Sequence, residues 1–172
     1  MYLKTERLVL RLPEKGDAAW IAREIANPKV HRWLTHPPRP YTLADAHEWL
    51  ARVAGDPLVR LIAFKGRPVG MVSITDGDLG YWLEEAAWGQ GFMTEAAHAL
   101  VAFYYETRGG ELLSGWLDGN AGSEGVLRKL GFADTGTRME HSAYHGRDVL
   151  AHRVRLEGSE GLQAPRAHAK RG

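Results

Sequence analysis

The chain contains no cysteine among its 172 residues. This absence excludes disulfide frameworks, cysteine-ligated zinc sites, CxxC redox motifs and cysteine nucleophiles. A cysteine-free chain fits a reducing compartment, and we expect a cytoplasmic protein. No apolar run approaches the roughly 18 residues that a membrane-spanning helix needs, and the first residues lack the layout of a signal peptide. We therefore expect no membrane partner.

An excess of either charge is also missing. The formal net charge is +1, and because residues 158–172 carry a local charge of +2, residues 1–157 carry −1. A body this close to neutral offers no broad basic face for a phosphate backbone, so nucleic acid is not an expected partner. Residues 158–172 show no apolar periodicity and are predicted to form a disordered basic tail, which leaves 1–157 as one domain.

Apolar periodicity predicts strands and helices that follow one another in mixed order. The predicted strands cover residues 7–12, 58–64, 69–74, 79–83, 112–117, 132–137 and 149–156. Four helices are predicted. The first runs from Asp17, its N-cap, to Ala26, and the second begins at Thr42, where Asp45 completes a capping box. The other two cover 93–106 and 123–130, and a short helical turn is predicted over 29–34. The fold class is α/β, with a mixed, mostly antiparallel central sheet of about six to seven strands flanked by helices.

Two glycines one residue apart, Gly89 and Gly91, stand just before the helix predicted over 93–106. Such glycines let backbone N–H groups turn toward one point, where the positive end of the helix dipole adds to them, and phosphate suits that arrangement. An isolated pair more often makes only a tight turn. Neither the GxGxxG dinucleotide fingerprint nor the Gly-Lys-Ser/Thr ending of a P-loop is present.

A second stretch, "DGNAGSEGVLRKLGF" at 118–132, follows the next strand, so two strand-to-helix junctions would face each other and grip an extended ligand. Together with "TERLVLRLPEKGD", "GYWLEEAAWGQGFMTEA" and "GRDVLAHRVRL", it makes residues 4–156 resemble the GCN5-related N-acetyltransferase (GNAT) family. The branch it is most similar to is that of the ribosomal-protein N-terminal acetyltransferases. The resemblance implies a GNAT domain over 1–157, a V-shaped gap between strands 79–83 and 112–117, and acetyl-CoA as cosubstrate.

In the family, the glycine loop cradles the diphosphate of acetyl-CoA through backbone amides, and pantetheine lies in the gap like an added strand. The resemblance places Asn120 against the pantetheine arm and the Ser123 hydroxyl near the cofactor's sulfur. Without it, Asn120 would be a turn residue and Ser123 an N-cap. The implied cofactor-binding residues are Tyr81, Trp82, Leu83, Trp88, Gly89, Gln90, Gly91, Phe92, Met93, Thr94, Asn120, Ser123 and Lys129.

Three positions depart from the family pattern. Trp88 replaces the usual Arg or Gln, as it often does in this branch, and Met93 replaces a small residue, so we expect a slight shift of the diphosphate. Leu127 replaces the tyrosine with which many relatives protonate the departing thiolate. We expect Ser123 or a water molecule to take over that role.

Acetyl transfer to an amine requires an uncharged nitrogen, so a carboxylate must accept a proton, directly or through water. We predict Asp78 as the catalytic base, with Glu84 and then Glu85 as alternatives; for each alone, a solvated turn carboxylate is the competing interpretation. A backbone N–H around Trp82 or Leu83 would stabilise the oxyanion.

The predicted function is an N-acetyltransferase that moves an acetyl group directly from acetyl-CoA to a primary amine. The family likeness favours a peptide or protein N-terminus over a small amine such as an amino acid, polyamine or aminoglycoside. A CoA-binding regulatory module without catalysis is a further alternative. Both monomer and homodimer remain open.

Aromatic residues Trp33, Tyr41 and Trp49 are predicted either to line the acceptor cleft or to belong to the core. No metal is expected. His141 and His145 are spaced i, i+4, but they accompany neither an HExxH motif nor a cysteine, which favours surface or acceptor-site histidines.

Overall fold

The strands form one sheet in the computed structural model, which describes residues 2–164. They are β1 Leu3–Lys4, β2 Leu8–Arg11, β3 Val59–Phe64, β4 Arg67–Thr75, β5 Asp78–Leu83, β6 Glu111–Leu117, β7 Ala133–Ser142 and β8 Arg147–Glu157. The order across the eight-stranded sheet is β1-β2-β3-β4-β5-β6-β8-β7, and β5–β6 is the parallel pair among antiparallel ones. The mixed, mostly antiparallel sheet is confirmed. The predicted count of six to seven strands is too low, because β1 is too short to show a periodicity.

Helices cover both faces of this sheet. They are α1 Ala18–Ala26, α2 Pro28–His31, α3 Leu43–Arg52, α4 Phe92–Thr107 and α5 Ala121–Leu130. The larger core lies on the face covered by α4 and α5 and includes Ile62, Leu100 and Leu127. On the opposite face, Leu61 and Met71 pack beneath the tryptophans of α1 and α3. Neighbouring residues of one strand thus serve different cores, as the period of two requires.

Helices α1 and α3 both begin where they were predicted to. Asp17 is the N-cap of α1, as predicted, but its side chain makes no capping hydrogen bond, because its carboxylate pairs with Arg11 through two hydrogen bonds of 2.7 and 2.9 Å. At α3 the predicted capping box is present: Thr42 accepts from the backbone of Asp45, and the Asp45 carboxylate accepts from the backbone N–H of Thr42 at 2.7 Å.

The last two strands are longer than predicted, and most of the segment between them, residues 138–148, is β-strand. Strand β7 lies at the sheet edge and is exposed along almost its whole length. A strand that buries neither face shows no apolar alternation, which explains the missed residues.

The segment after β8 was predicted to be a tail. Ser159–Gly161 forms a 3-10 turn, and the backbone N–H of Gln163 donates to Leu130 O at 3.1 Å. The rest of the predicted tail, residues 165–172, lies outside the described residues. Across residues 2–164 no helix has the length and apolar character needed to cross a membrane.

Candidate active site

Strands β5 and β6 separate almost as soon as they meet. They share one register pair, Asp78 with Leu113. At the point of separation the fully buried Ser114 donates its hydroxyl to Leu79 O at 2.8 Å, a side-chain bond where a regular ladder would use the backbone. The V-shaped gap predicted between these strands is therefore confirmed. Ser114 was missed, although a polar residue inside an apolar strand was a readable signal.

The ladder between β4 and β5 determines which backbone groups face the gap. The Glu84 N–H donates to Val69 O at 2.9 Å, and successive residues of an antiparallel strand turn their backbone groups to opposite sides. The backbone of Trp82 is therefore turned toward β4, and the N–H groups of Tyr81 and Leu83 are turned toward the gap. Of the two amides predicted as oxyanion donors, that of Leu83 has the required direction and that of Trp82 does not.

The glycine loop leads from β5 into α4. Gly89 and Gly91 have φ values of 72° and 75°, a conformation that side-chain-bearing residues rarely adopt, and Gly91 is the N-cap of α4. The first-turn N–H groups of α4 lack partners within the helix, so the loop has the donors that an anion requires. Met93 buries its side chain in the larger core, with 4% exposed, so little of its bulk stands over the loop.

A partly buried ion pair between Arg7 and Glu95 supports this loop. Glu95, in the first turn of α4, accepts hydrogen bonds from Thr5 Oγ1 (2.5 Å) and from the Arg7 backbone N–H (2.9 Å) and Nε (2.7 Å). Arg7 Nη1 also donates to Gln90 O at 2.9 Å, and its guanidinium lies 4.8 Å from the Phe92 ring centroid. The first strands are thus tied to the loop and to the helix that follows it.

The second junction leads from β6 into α5. Asn120 is the N-cap, and its side-chain oxygen accepts from the Ser123 N–H at 3.2 Å, so the alternative of Ser123 as N-cap is wrong. The Ser123 hydroxyl instead lies 2.9 Å from the hydroxyl of Tyr81, which reaches it from β5. Because β5 and β6 run parallel, their carboxyl ends meet at one sheet edge and the two junctions face each other across the gap, as predicted.

One continuous cavity of about 1610 Å³ connects the loop, the gap and the opposite face of the sheet. It is lined by Asp78 and by the predicted cofactor-binding residues Tyr81, Trp82, Leu83, Trp88, Gly89, Gly91, Phe92, Met93, Thr94, Asn120, Ser123 and Lys129. Gln90 and Glu84 are not among the lining residues. The Gln90 side chain instead donates to Ala86 O at 3.0 Å.

The half of the cavity on the α1 and α3 face of the sheet, called the acceptor half below, is rich in aromatic side chains. Trp33, Tyr41 and Trp49 all line it. Trp82, whose side chain leaves β5 on the side opposite to that of Tyr81, stacks on Trp20 with 5.2 Å between ring centroids. Burial, followed by the nearby Asp45, raises the pKa of Tyr41 to about 12, so its phenol keeps its proton.

Each of the three carboxylates proposed as a base has a partner. Asp78 lines the cavity and forms an ion pair with Arg153, whose side chain crosses β6 at Gly115. Glu84 accepts from Trp20 Nε1 at 3.3 Å. Glu85 is held by Lys29 at 2.5 Å and by Asn27, and these two hydrogen bonds lower its pKa.

Residues 2–164 contain no group of three or more His, Asp or Glu side chains placed to hold a metal ion. His141 Nδ1 lies 3.2 Å from the Asp148 carboxylate on the surface, and His145 Nε2 lies 3.2 Å from Arg32 O. The two histidines therefore face different partners.

A V-shaped gap between parallel strands, with a glycine loop and a helix start at its open end, is the arrangement of an acetyltransferase fold. RimL, a ribosomal L7/L12 alpha-N-protein acetyltransferase solved with coenzyme A, is 17% identical, with a TM-score of 0.79 over 91% of this chain and 98% of that one. A ribosomal-protein-S5-alanine acetyltransferase from Vibrio fischeri is 18% identical, with a TM-score of 0.77 over 96% and 100% of the two chains. The microcin C7 self-immunity acetyltransferase MccE, solved with acetyl-CoA and AMP, is 18% identical, with a TM-score of 0.76 over 89% and 93%.

The family follows from the sequence. A model described as "Acetyltransferase (GNAT) domain" matches residues 7–133, well over half of the chain. The protein therefore belongs to the GNAT family and is an acetyl-CoA-dependent N-acetyltransferase. A comparison with curated proteins returned no match.

Proposed function

We propose that the protein transfers the acetyl group to an α-amino group, with the N-terminus of a peptide or protein as acceptor. The observation that carries the proposal is the pairing of Asp78 with Arg153 in the acceptor half of the cavity. Arg153 already occupies one oxygen of this carboxylate, so the site suits an amine that needs little help in losing its proton.

The pKa values of amines decide which acceptors meet this condition. An α-amino group has a pKa of about 7.7 to 8.0, so roughly half of it is neutral near pH 8. A lysine-type amine, with a pKa of about 10.4, is neutral to well under about 1% at that pH. Asp78, acting through water, therefore has a modest task with an α-amine and a demanding one with a lysine side chain or a polyamine.

The wall of the acceptor half supports a slender acceptor. The loop after α2 is joined to the β7–β8 turn, since Ala143 N donates to Thr35 O at 3.0 Å and Arg39 Nη1 donates to Tyr144 O at 2.9 Å. The Arg39 guanidinium also lies 4.3 Å from the Tyr144 ring centroid. Of these residues Thr35 lines the cavity, so the junction supports one side of the cleft, which a chain end enters more easily than a side chain on a folded surface does.

Relatives in both acceptor classes share the fold. RimL and the S5-alanine enzyme are named for protein acceptors, which supports the proposal. MccE, solved with AMP, makes a small amine the second candidate, and the tryptophans of the acceptor half would suit a planar group.

An amine panel separates the candidates. Purified protein and acetyl-CoA are incubated with one acceptor at a time, and products are identified by mass spectrometry. The acceptors are short lysine-containing peptides with a free N-terminal Ala or Ser, the same peptides with the α-amine blocked, spermidine, an amino acid and an aminoglycoside. We expect acetylation of the free peptides alone, with kcat/KM levelling off above about pH 8. The proposal would be overturned if the blocked peptides were acetylated, or if the small amines were acetylated and the free peptides were not.

Two further variants test the base. Asp78→Asn should reduce the rate more at pH 7 than at pH 9, because the amine is already neutral at the higher pH. Asp76→Asn is the matched control, since Asp76 is exposed and lines the same cavity two residues away. Equal losses at both pH values would contradict a role for Asp78 as base.

Calorimetric titration with acetyl-CoA tests the glycine loop. A Gly89→Ala, Gly91→Ala double variant should bind at least about tenfold more weakly, since a left-handed residue with a side chain costs about 1–2 kcal/mol. Gly16→Ala, at a position with open space around the added methyl group, should bind as the wild type does. Equal affinity in the double variant would show that the loop does not bind the diphosphate.

A further inference from the structure

We propose that the Tyr81 hydroxyl orients the Ser123 hydroxyl toward the cofactor's sulfur, so that the two side chains act as one hydrogen-bonding unit on the departing thiolate. Tyr81 is then a positioning residue that acts through Ser123. The inference rests on the proposed function to the extent that acetyl-CoA must occupy the gap.

The unit joins the two sides of the gap. Tyr81 Oη lies 2.9 Å from Ser123 Oγ and 3.2 Å from Ser123 O, although 42 positions separate the residues. The Tyr81 ring packs against the larger core, on the same face of β5 as Leu83. The Ser123 backbone N–H is held by Asn120 Oδ1 at 3.2 Å. Backbone and side chain of Ser123 are thus fixed from two directions, and both Tyr81 and Ser123 line the cavity.

The protons of the two hydroxyls decide what the pair can do. Each hydroxyl has one proton to donate and two lone pairs, and either oxygen can be the donor in the 2.9 Å contact. When a thiolate lies in the cavity beside Ser123, the Ser123 proton turns toward the sulfur and the Tyr81 proton takes over the contact with Ser123 Oγ. Burial raises the pKa of Tyr81, and this effect outweighs the hydrogen bond to Ser123, so the phenol stays a donor. Linked hydrogen bonds polarise one another, which strengthens the donor that faces the sulfur.

The family resemblance puts the Ser123 hydroxyl near the cofactor's sulfur, and it is there that charge develops. The amine lone pair attacks the thioester carbon, the C–S bond then breaks, and its electron pair goes to sulfur. Ser123 Oγ–H donates a hydrogen bond to that sulfur while the charge resides there. The proton lost by the amine nitrogen leaves through Asp78 and water, and the sulfur takes a proton from water, so the products are an amide and a thiol.

Leu127 supplies no alternative donor. Its side chain is fully buried in the larger core, and it is not among the residues that line the cavity. The Tyr81 hydroxyl approaches Ser123 from the opposite side of the gap, on a strand instead of a helix. A chain can therefore lack a tyrosine at position 127 and still link a phenol to the reacting sulfur through Ser123.

The test uses the pKa of the thiol of bound CoA and needs no acceptor. The thiolate absorbance of a CoA complex is followed against pH for the wild type, Tyr81→Phe, Ser123→Ala and the double variant. Losing a hydrogen bond to the thiolate should raise the thiol pKa by about one unit in each single variant. The double variant should show no larger shift than Ser123→Ala, because the two residues act as a unit.

Tyr105→Phe is the matched control. Tyr105 also donates its phenol to a backbone carbonyl, Leu156 O at 3.0 Å, but it is not among the residues that line the cavity. This variant should leave the thiol pKa of bound CoA unchanged. Thermal unfolding of each variant, with and without CoA, verifies folding and occupancy.

The outcomes distinguish the unit from the proposed function. If CoA binds but Tyr81→Phe leaves its thiol pKa unchanged, the unit is overturned. If only Ser123→Ala shifts the thiol pKa, Tyr81 contributes packing and does not orient Ser123. Failure of the wild type to bind CoA would overturn the proposed function and the unit with it.

Discussion

Replacing Glu95 with glutamine should loosen the glycine loop and destabilise the protein. The carboxylate is 11% exposed and accepts three hydrogen bonds, from Thr5 and Arg7. Glutamine keeps the shape of the side chain, but its NH₂ group cannot accept a hydrogen bond. One N–H or O–H donor of Thr5 or Arg7 would then face another donor, and the Arg7 charge would lose its counter-ion. Breaking a fully buried pair costs about 3–5 kcal/mol, and because Arg7 is 24% exposed we expect about 2 kcal/mol here.

Three measurements check this prediction. Urea denaturation should show the loss of stability, and thermal unfolding should show a midpoint lower by about 4–8 °C for a chain of this size. Calorimetry should show weaker acetyl-CoA binding, because Arg7 also holds Gln90 O in the loop. Glu106→Gln is the control, since Glu106 is exposed near the other end of the same helix.

The pH dependence gives a sharper criterion. Burial alone would raise the pKa of Glu95, but the hydrogen bonds from Thr5 and Arg7 outweigh it, and the pKa is lowered. The contribution of Glu95 to stability is then complete above its unfolded pKa of about 4.3 and is lost as the pH falls through the lower folded value. The difference between wild type and variant should therefore shrink in acid. A difference that stays the same from pH 7 to the acid limit, or none at pH 7, would refute the reasoning.

Two further predictions concern helix ends. Thr42→Ala should lower the free energy of unfolding by about 1 kcal/mol in urea denaturation, because it removes half of the capping box with Asp45; an unchanged midpoint would contradict the cap. Gly131→Ala should destabilise by more than about 2 kcal/mol, because φ is +98° and an added Cβ would lie 2.2 Å from Gly161 O. Gly125→Ala, inside α5 with open space around it, should instead raise the free energy of unfolding by about 0.5–1 kcal/mol. If the Gly131 and Gly125 variants changed stability in the same direction, this contrast would be refuted.

Local sequence patterns predicted the parts of the fold that local forces determine. The capping box at Thr42 and Asp45 and the glycines before α4 are short-range signals, and the structure shows the first as a cap and the second as left-handed turns. Helix α4 shows the expected stripe because one of its faces is buried in the larger core. The gap between β5 and β6 came from the family resemblance, since nothing local marks the separation of two strands.

Contacts between distant residues could not be predicted in the same way. The pairs Arg7–Glu95 and Tyr81–Ser123 are separated by 88 and 42 positions, and no periodicity connects their members. The Asp78–Arg153 pair was missed for the same reason. Asp17 is the N-cap of α1, as predicted, but the pairing of its carboxylate with Arg11, which replaces a side-chain cap, could not be predicted.

Strand β5 borders the cavity from both faces of the sheet because its side chains alternate between them. Tyr81 points toward Ser123 in α5, whereas Trp82 points toward α1, where it stacks on Trp20. A continuous ladder with β6 would keep these faces apart, but the separation after Asp78 lets both border one cavity. A register shift of one residue would exchange the phenol and the indole between the two faces. The order of residues in "GYWL", more than their types, therefore determines which face each side chain borders.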